Sequence, residues 1–121
     1  MVIDHDAKVE GNTLVVTAGG REASLDEARR YVAAVLDAAG QAGCTHILCD
    51  ERKLEHSLGT FDIYRKAEFT AHSAPRTTRA ATVCSPGESA DAAFWETVAV
   101  NRGLQVRVFT DPAEARAWLE G

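Results

Sequence analysis

Four segments with helical spacing alternate with short apolar runs along this chain, and that alternation limits the fold more than any other feature. The first helical segment opens on Ser24-Leu25-Asp26-Glu27. The Ser24 hydroxyl can accept from the Glu27 amide while the Glu27 carboxylate reaches back, a capping box. Leu25, Ala28, Val32, Val35, Leu36 and Ala39 then form one apolar stripe, which Gly40 or Gly43 stops. The second segment runs from Phe61 to Ser73, with Phe61, Tyr64, Ala67 and Glu68 on one side, and Pro75 prevents its continuation. The third runs from Ser89 to Arg102 and stops at Gly103. The last begins at Asp111-Pro112-Ala113-Glu114, a capping Asp with Pro at the first helical position, and closes on Trp118-Leu119.

Between these lie the strands. Residues 7–18 read as a hairpin around Gly11-Asn12, a pair that accepts positive φ, with Gly19-Gly20 ending its second strand. His46 to Cys49 is a buried strand ending at Asp50, and residues 51–60 read as a polar loop anchored by Leu54 and Leu58. Arg79 to Cys84 and Gln105 to Thr110 complete the set, with Ser85-Pro86-Gly87 as a turn between. The order β-β-α-β-α-β-α-β-α implies right-handed crossovers and a mostly parallel sheet. Strands covered on both faces read as continuous apolar runs. Here Leu14 and Val16 alternate with Thr13, Val15 and Thr17, and Val106 and Val108 alternate with Gln105, Arg107 and Phe109. One sheet face is therefore expected to be well covered by helices and the other only partly.

With 121 residues, 45% of them hydrophobic and 26% charged, the chain has room for one core and needs no disulfide or metal staple. A net charge of -5 argues against nucleic acid or an anionic membrane as the main partner. No apolar run approaches the ~18 residues of a membrane span. The stretch Met1 to Asp6 lacks the basic and apolar regions of a secretory signal. Cys44, Cys49 and Cys84 form no CxxC pair, so reduced thiols in a cytoplasmic protein are expected.

The stretch from Phe94 to Phe109 and the run Ile47-Leu48-Cys49-Asp50-Glu51-Arg52-Lys53-Leu54-Glu55 resemble small bacterial STAS-like proteins. These are related in fold to anti-sigma-factor antagonists and are grouped as STAS/Sec14-like. The resemblance spans about residues 7–120. It implies a single STAS-like α/β domain over 1–121, a SpoIIAA-like (βα) superhelix. Its five-stranded, mostly parallel mixed sheet would carry an N-terminal β-hairpin, with four helices mainly on one face. It also implies a regulatory or ligand-binding module rather than an enzyme.

In kinase-switched antagonists the second helix begins at an Asp-Ser-Ser-Gly-like motif whose Ser is phosphorylated. This chain has His56-Ser57-Leu58-Gly59-Thr60-Phe61-Asp62 instead. Ser57 and Thr60 are candidate phosphorylation sites, because a phosphate there would meet free helix amides. Either is equally suited to capping the helix, and the cap reading takes precedence.

Ligands of open α/β sheets sit beyond the carboxyl ends of the strands. That rule selects Asp50 and Arg52, which can orient a polar ligand or form an ordinary ion pair, and Ser85 at the start of the third helix. Phe61, Tyr64 and Trp95 are candidates for an apolar pocket or a partner surface. Phe94 and Trp95 lie about 100° apart on a helix, so only one points straight inward. Cys49 and Cys84 end neighbouring strands, and His56 or Arg52 could activate a thiol only by lowering its pKa. His5, His46, His56 and His72 show no metal-binding spacing, and no phosphate loop follows any strand, so no cofactor is expected.

The reading is a non-enzymatic regulatory module that binds a protein partner, with a partly bare sheet face favouring a homodimer. A domain for a small, apolar or lipid-like ligand is the alternative, and a cysteine-dependent enzyme comes third. A thiol, an imidazole and a carboxylate converging in a deep cleft would overturn the non-enzymatic reading.

Overall fold

The computed structural model describes residues 3–121; Met1 and Val2, part of the N-terminal stretch read above, lie outside the described residues. Strands β1 (Ile3–Glu10) and β2 (Thr13–Glu22) form an antiparallel hairpin. They are followed by α1 (Leu25–Ala42), β3 (His46–His56), α2 (Thr60–Ser73) and β4 (Arg79–Val83). A 3₁₀ turn (Pro86–Glu88), α3 (Ser89–Asn101), β5 (Gln105–Phe109) and α4 (Pro112–Glu120) complete the chain. The sheet order is β1-β2-β3-β4-β5, parallel from β2 onward.

The alternation along β2 sorts the two faces. Leu14, Val16 and Ala18 pack with Tyr31, Val35 and Ala39 of α1. Val15, with Leu48, Ala81 and Val83, packs on the other face against Ala115 and Leu119 of α4. Ala67 of α2 and Ala99 of α3 join Leu104 and Val106 on the α1 side. Three helices thus cover one face and α4 alone covers the other. The flank that α4 leaves open carries Asp6, Lys8, Thr17 and Asp50, which the register places on the Val15 side, with Arg52 held to Asp50, so the bare area is polar.

Caps set the helix boundaries, although at α1 the Glu27 carboxylate meets the Ser24 hydroxyl at 3.5 Å rather than its amide, so the box is half made. The Ser24 hydroxyl accepts from the Glu27 amide at 3.2 Å and Asp111 accepts from the Ala113 amide at 3.1 Å, while Gly43 ends α1. At the hairpin only Gly11 has positive φ (61°), the pattern of a type II′ turn.

The departures concentrate where β2 and β3 run side by side. Gly19-Gly20 does not end β2, which continues to Glu22, and β3 does not stop at Cys49 but reaches His56. Thr17 pairs with Asp50 and Gly19 with Lys53, so β3 carries one extra residue over this step. Gly20, just past this step on β2, has φ 94°, a conformation glycine adopts freely. The bulge shifts the alternation of β3, so Glu51 and then Leu54 and His56 face the helices. A charged run that reads as a loop is therefore a strand with its anchors on one side.

Helix α2 also differs in its inward face, which is Ile63, Lys66, Ala67 and Thr70 rather than Phe61, Tyr64, Ala67 and Glu68. Its N-cap is Gly59, with no side-chain cap bond, so neither Ser57 nor Thr60 caps it. At the far edge, Glu96 of α3 accepts from the Val108 amide at 2.6 Å, occupying a donor of β5.

Leu54 is 2% exposed and Val9 is 53% exposed. Leu54→Ala should lower stability by about 2–5 kcal/mol in urea denaturation, and Val9→Ala should stay within about 0.5 kcal/mol of the parent. Equal effects would mean that β3 does not enter the core beyond the bulge.

Candidate functional site

Helix α2 packs between α1 and α3 on the three-helix side of the sheet. A cavity of about 110 Å³ lies beneath it. Its floor is the helix-facing side of β3, β4 and β5, including Ile47, Cys49, Thr82, Cys84 and Val106. Val35 of α1, Ile63 of α2 and Trp95 of α3 supply apolar wall. This volume suits an aromatic ring or a short aliphatic chain; an engineered apolar cavity of about 150 Å³ holds benzene.

One end of the cavity is charged. β2 ends at Glu22 and β3 at His56, paired in register, and the bulge brings Glu51 to the same face. Lys66 donates to Glu22 at 2.6 Å, with the two residues only 8% and 2% exposed. The Tyr31 hydroxyl donates to Glu51 at 2.8 Å. His56 stands between two carboxylates, with Nε2 3.3 Å from Glu51 and Nδ1 3.5 Å from Glu88.

Burial opposes ionisation of Glu51, Lys66 and His56, and their neighbours overcome it. Glu51 stays below the usual carboxylate range because burial is outweighed by the His56 hydrogen bond, the Lys66 charge and Tyr31. Lys66 is held above the usual lysine value against its burial, chiefly by the Glu22 and Glu51 charges. His56 rises above its ordinary 6.5, because the hydrogen bond and charge of Glu51, with the charge of Glu22, exceed burial and Lys66. Tyr31 is pushed well above the phenolic range by burial and then by Glu51.

Cys49 and Cys84 line the same cavity as His56 and Glu51, so a thiol, an imidazole and a carboxylate do share one enclosed space. The electrostatics run against a nucleophile. Burial, followed by the Glu51 charge, drives the Cys49 thiol far above its ordinary value, and Tyr31 and Lys66 only partly offset this. Burial and Glu51 also raise Cys84. His56 Nε2 is hydrogen-bonded to Glu51, and its Nδ1 lies 3.5 Å from Glu88. A thiolate needs a cation or helix N-terminus close by, and here the dominant neighbour is an anion. Among the described residues, no group of three or more His, Cys, Asp or Glu side chains is disposed to hold a metal ion.

Of the residues weighed from sequence for a binding or thiol site, Trp95, Cys49, Cys84 and His56 line this cavity and the others do not. Asp50 and Arg52 form a two-pronged ion pair, 2.9 and 2.7 Å, on the opposite sheet face. Ser57 accepts from Arg21 Nε at 3.0 Å. Thr60 is the exposed first residue of α2, and Phe61 is 65% exposed beneath the Arg65 guanidinium. Tyr64 turns outward, accepting from Arg102, which also pairs with Glu68 at 3.2 Å. Ser85 precedes the 3₁₀ turn without a side-chain cap bond.

Sequence reasoning missed Glu22, Tyr31, Glu51, Lys66 and Glu88 as site residues, and weighed His56 only as a thiol activator. One signal was available: Lys66 lies in a helical stripe with Ile63, Ala67 and Thr70, so a charge enters the interior there.

Two solved structures share this fold. An anti-sigma factor antagonist from Mycobacterium paratuberculosis superimposes with a TM-score of 0.69 at 12% identity, covering 98% of this chain and 95% of its own. A protein of the DUF3478 family with a SpoIIAA-like fold, from Shewanella loihica PV-4, gives 0.53 at 20% identity, covering 98% and 94%. No family model matches the chain, and no curated protein matches it. The fold is SpoIIAA-like, with the mixed sheet and N-terminal hairpin expected of it. Among the described residues, no helix is long and apolar enough to cross a membrane.

Two outcomes follow from the cluster. Lys66→Met should cost about 3–5 kcal/mol in urea denaturation, because Glu22 is left buried without its cation, and adding Glu22→Leu should recover most of that loss. Iodoacetamide should leave Cys49 and Cys84 unmodified in the folded protein and alkylate both after unfolding; rapid native labelling would establish an activated thiol.

Proposed function

We propose that this chain is a non-enzymatic regulatory module that takes a small, largely apolar molecule into the cavity beneath α2. The observation that carries this reading is the cavity itself, with apolar walls and a few convergent polar groups at one end, the usual make-up of a small-molecule site. The burial and the Glu51 charge that raise the Cys49 thiol above its ordinary value support binding over bond-making.

A specific observation favours a protein contact beside it. The start of α2 presents an exposed Thr60 and Phe61, and its first amides lack a side-chain cap. Ser57 is held next to it by Arg21. The antagonist of the same fold acts, as its name states, on an anti-sigma factor, and a partner protein docking at this end of α2 is the corresponding proposal here. Self-association through the edge of β1, a strand with no neighbour on its outer side among the described residues, gives the homodimer form of that proposal.

A thermal-shift panel of toluene, phenol and indole tests the cavity. At a hundredfold excess over its Kd a bound probe stabilises by about 2.7 kcal/mol, a rise of several degrees in Tm. Thr82→Leu, which fills the floor from β4, should remain folded and lose the response. If no probe shifts the parent protein, or if the filled variant responds equally, the cavity is not a binding site.

A further inference from the structure

We propose that His56 is a proton-operated latch on the mouth of the cavity. As an imidazolium it ties the Pro86–Glu88 turn to β3, and as a neutral ring it releases that turn and opens the way in. The inference rests on the cavity being a ligand site and concerns how that site is regulated.

The geometry of the two contacts carries it. His56 Nε2 lies 3.3 Å from Glu51 Oε1 and Nδ1 lies 3.5 Å from Glu88 Oε2. Only the imidazolium has a donor on both nitrogens; the neutral ring turns a lone pair toward one carboxylate. The two carboxylates are not equally able to let go. Glu51 is buried and already accepts from Tyr31, so it stays in place with the remaining ring N–H. The Glu88 side chain is 22% exposed and can turn to water. Loss of one proton therefore breaks the Glu88 contact first.

The turn that Glu88 belongs to is free to respond. Its other bonds are local: the Glu88 amide donates to the Ser85 carbonyl and the Ser89 hydroxyl to the Pro86 carbonyl. Among the described residues, His56–Glu88 is the one salt bridge joining this turn to the rest of the molecule. The turn leads straight into Asp91, the exposed member of the cavity lining, with Trp95 one helical turn further in. Movement here opens the path to Trp95.

The groups around the ring set the direction. Glu22 faces it from β2, Glu51 from β3, Lys66 from α2 and Glu88 from the turn, and Asp91 of α3 lines the same end. Burial and Lys66 disfavour the imidazolium, while Glu51 and Glu22 together overcome them, so it persists above the ordinary histidine value. The latch is closed on the acid side and releases as pH rises through that elevated value.

Trp118→Phe leaves Trp95 as the sole tryptophan and makes it a reporter. Its lifetime-corrected quenching by acrylamide is measured from about pH 5.5 to about pH 9, spanning histidine titration. The expected result is a severalfold rise in quenching through a single-proton step above the ordinary histidine value. In the same background, Glu88→Ala keeps the buried His56–Glu51 pair and should be quenched at the high level across the range. His56→Gln should lose the step as well, with far-UV circular dichroism and urea midpoints reporting that each variant is folded. A flat profile in the Trp118→Phe protein, or a step that survives Glu88→Ala, overturns the latch. Quenching is read without any ligand, so a step in a protein that binds none of toluene, phenol or indole would retain the latch and remove the binding reading, and the reverse result would do the opposite.

Discussion

One extra residue in β3, inserted where Thr17 pairs with Asp50 and Gly19 with Lys53, decides which side chains meet beneath the helices. Without it, strict alternation after Glu51 would send Lys53 and Glu55 inward and turn Leu54 and His56 to the polar face. With it, Leu54 enters the core and His56 stands beside Glu22 over the cavity. Bulges recur next to functional sites because they re-aim side chains without breaking the sheet. Here the re-aimed residues are the ones that build the charged end of the cavity.

Those charges hold one another in place. Glu22 and Glu51 are carboxylates in an interior that penalises ionisation, and each stays tolerable because Lys66, Tyr31 and His56 contribute a cation or a donor. Such a network adds little net stability, since its attractions mostly offset desolvation, but losing one member strands another. Helix α2 is thereby tied to the sheet at its middle, by the Lys66–Glu22 ion pair and by Ala67 packing with Leu104 and Val106. An unfilled volume in a close-packed interior lowers stability. This one is enclosed by three helices and a sheet face and joined to a titratable entrance, the arrangement a binding site calls for.

The helices and strands were legible because each carries a local signature. Ser24 and Asp111 cap the helices they were expected to cap, and the alternation along β2 sorts the two sheet faces correctly. The uneven helix cover followed from that alternation. What escaped was governed by distant partners. Residues 51–56 read as a loop because Glu51, Arg52, Lys53 and Glu55 look solvated in isolation. They form a strand because β2 extends alongside them as far as Glu22. The apolar reading of α2 failed at Lys66, whose inward position makes sense only once Glu22 is found opposite, 44 residues away in the chain.

The sequence by itself determined the order of elements, the parallel crossovers and the lopsided cover, since caps, periodicity and alternation are properties of neighbours along the chain. Tertiary structure alone decided the site. The bulge register, the seating of α2 between α1 and α3 and the meeting of Glu22, Glu51, His56, Lys66 and Glu88 each depend on segments brought together across the fold. A buried charge has no local signature, because what makes it tolerable is a partner that only folding supplies.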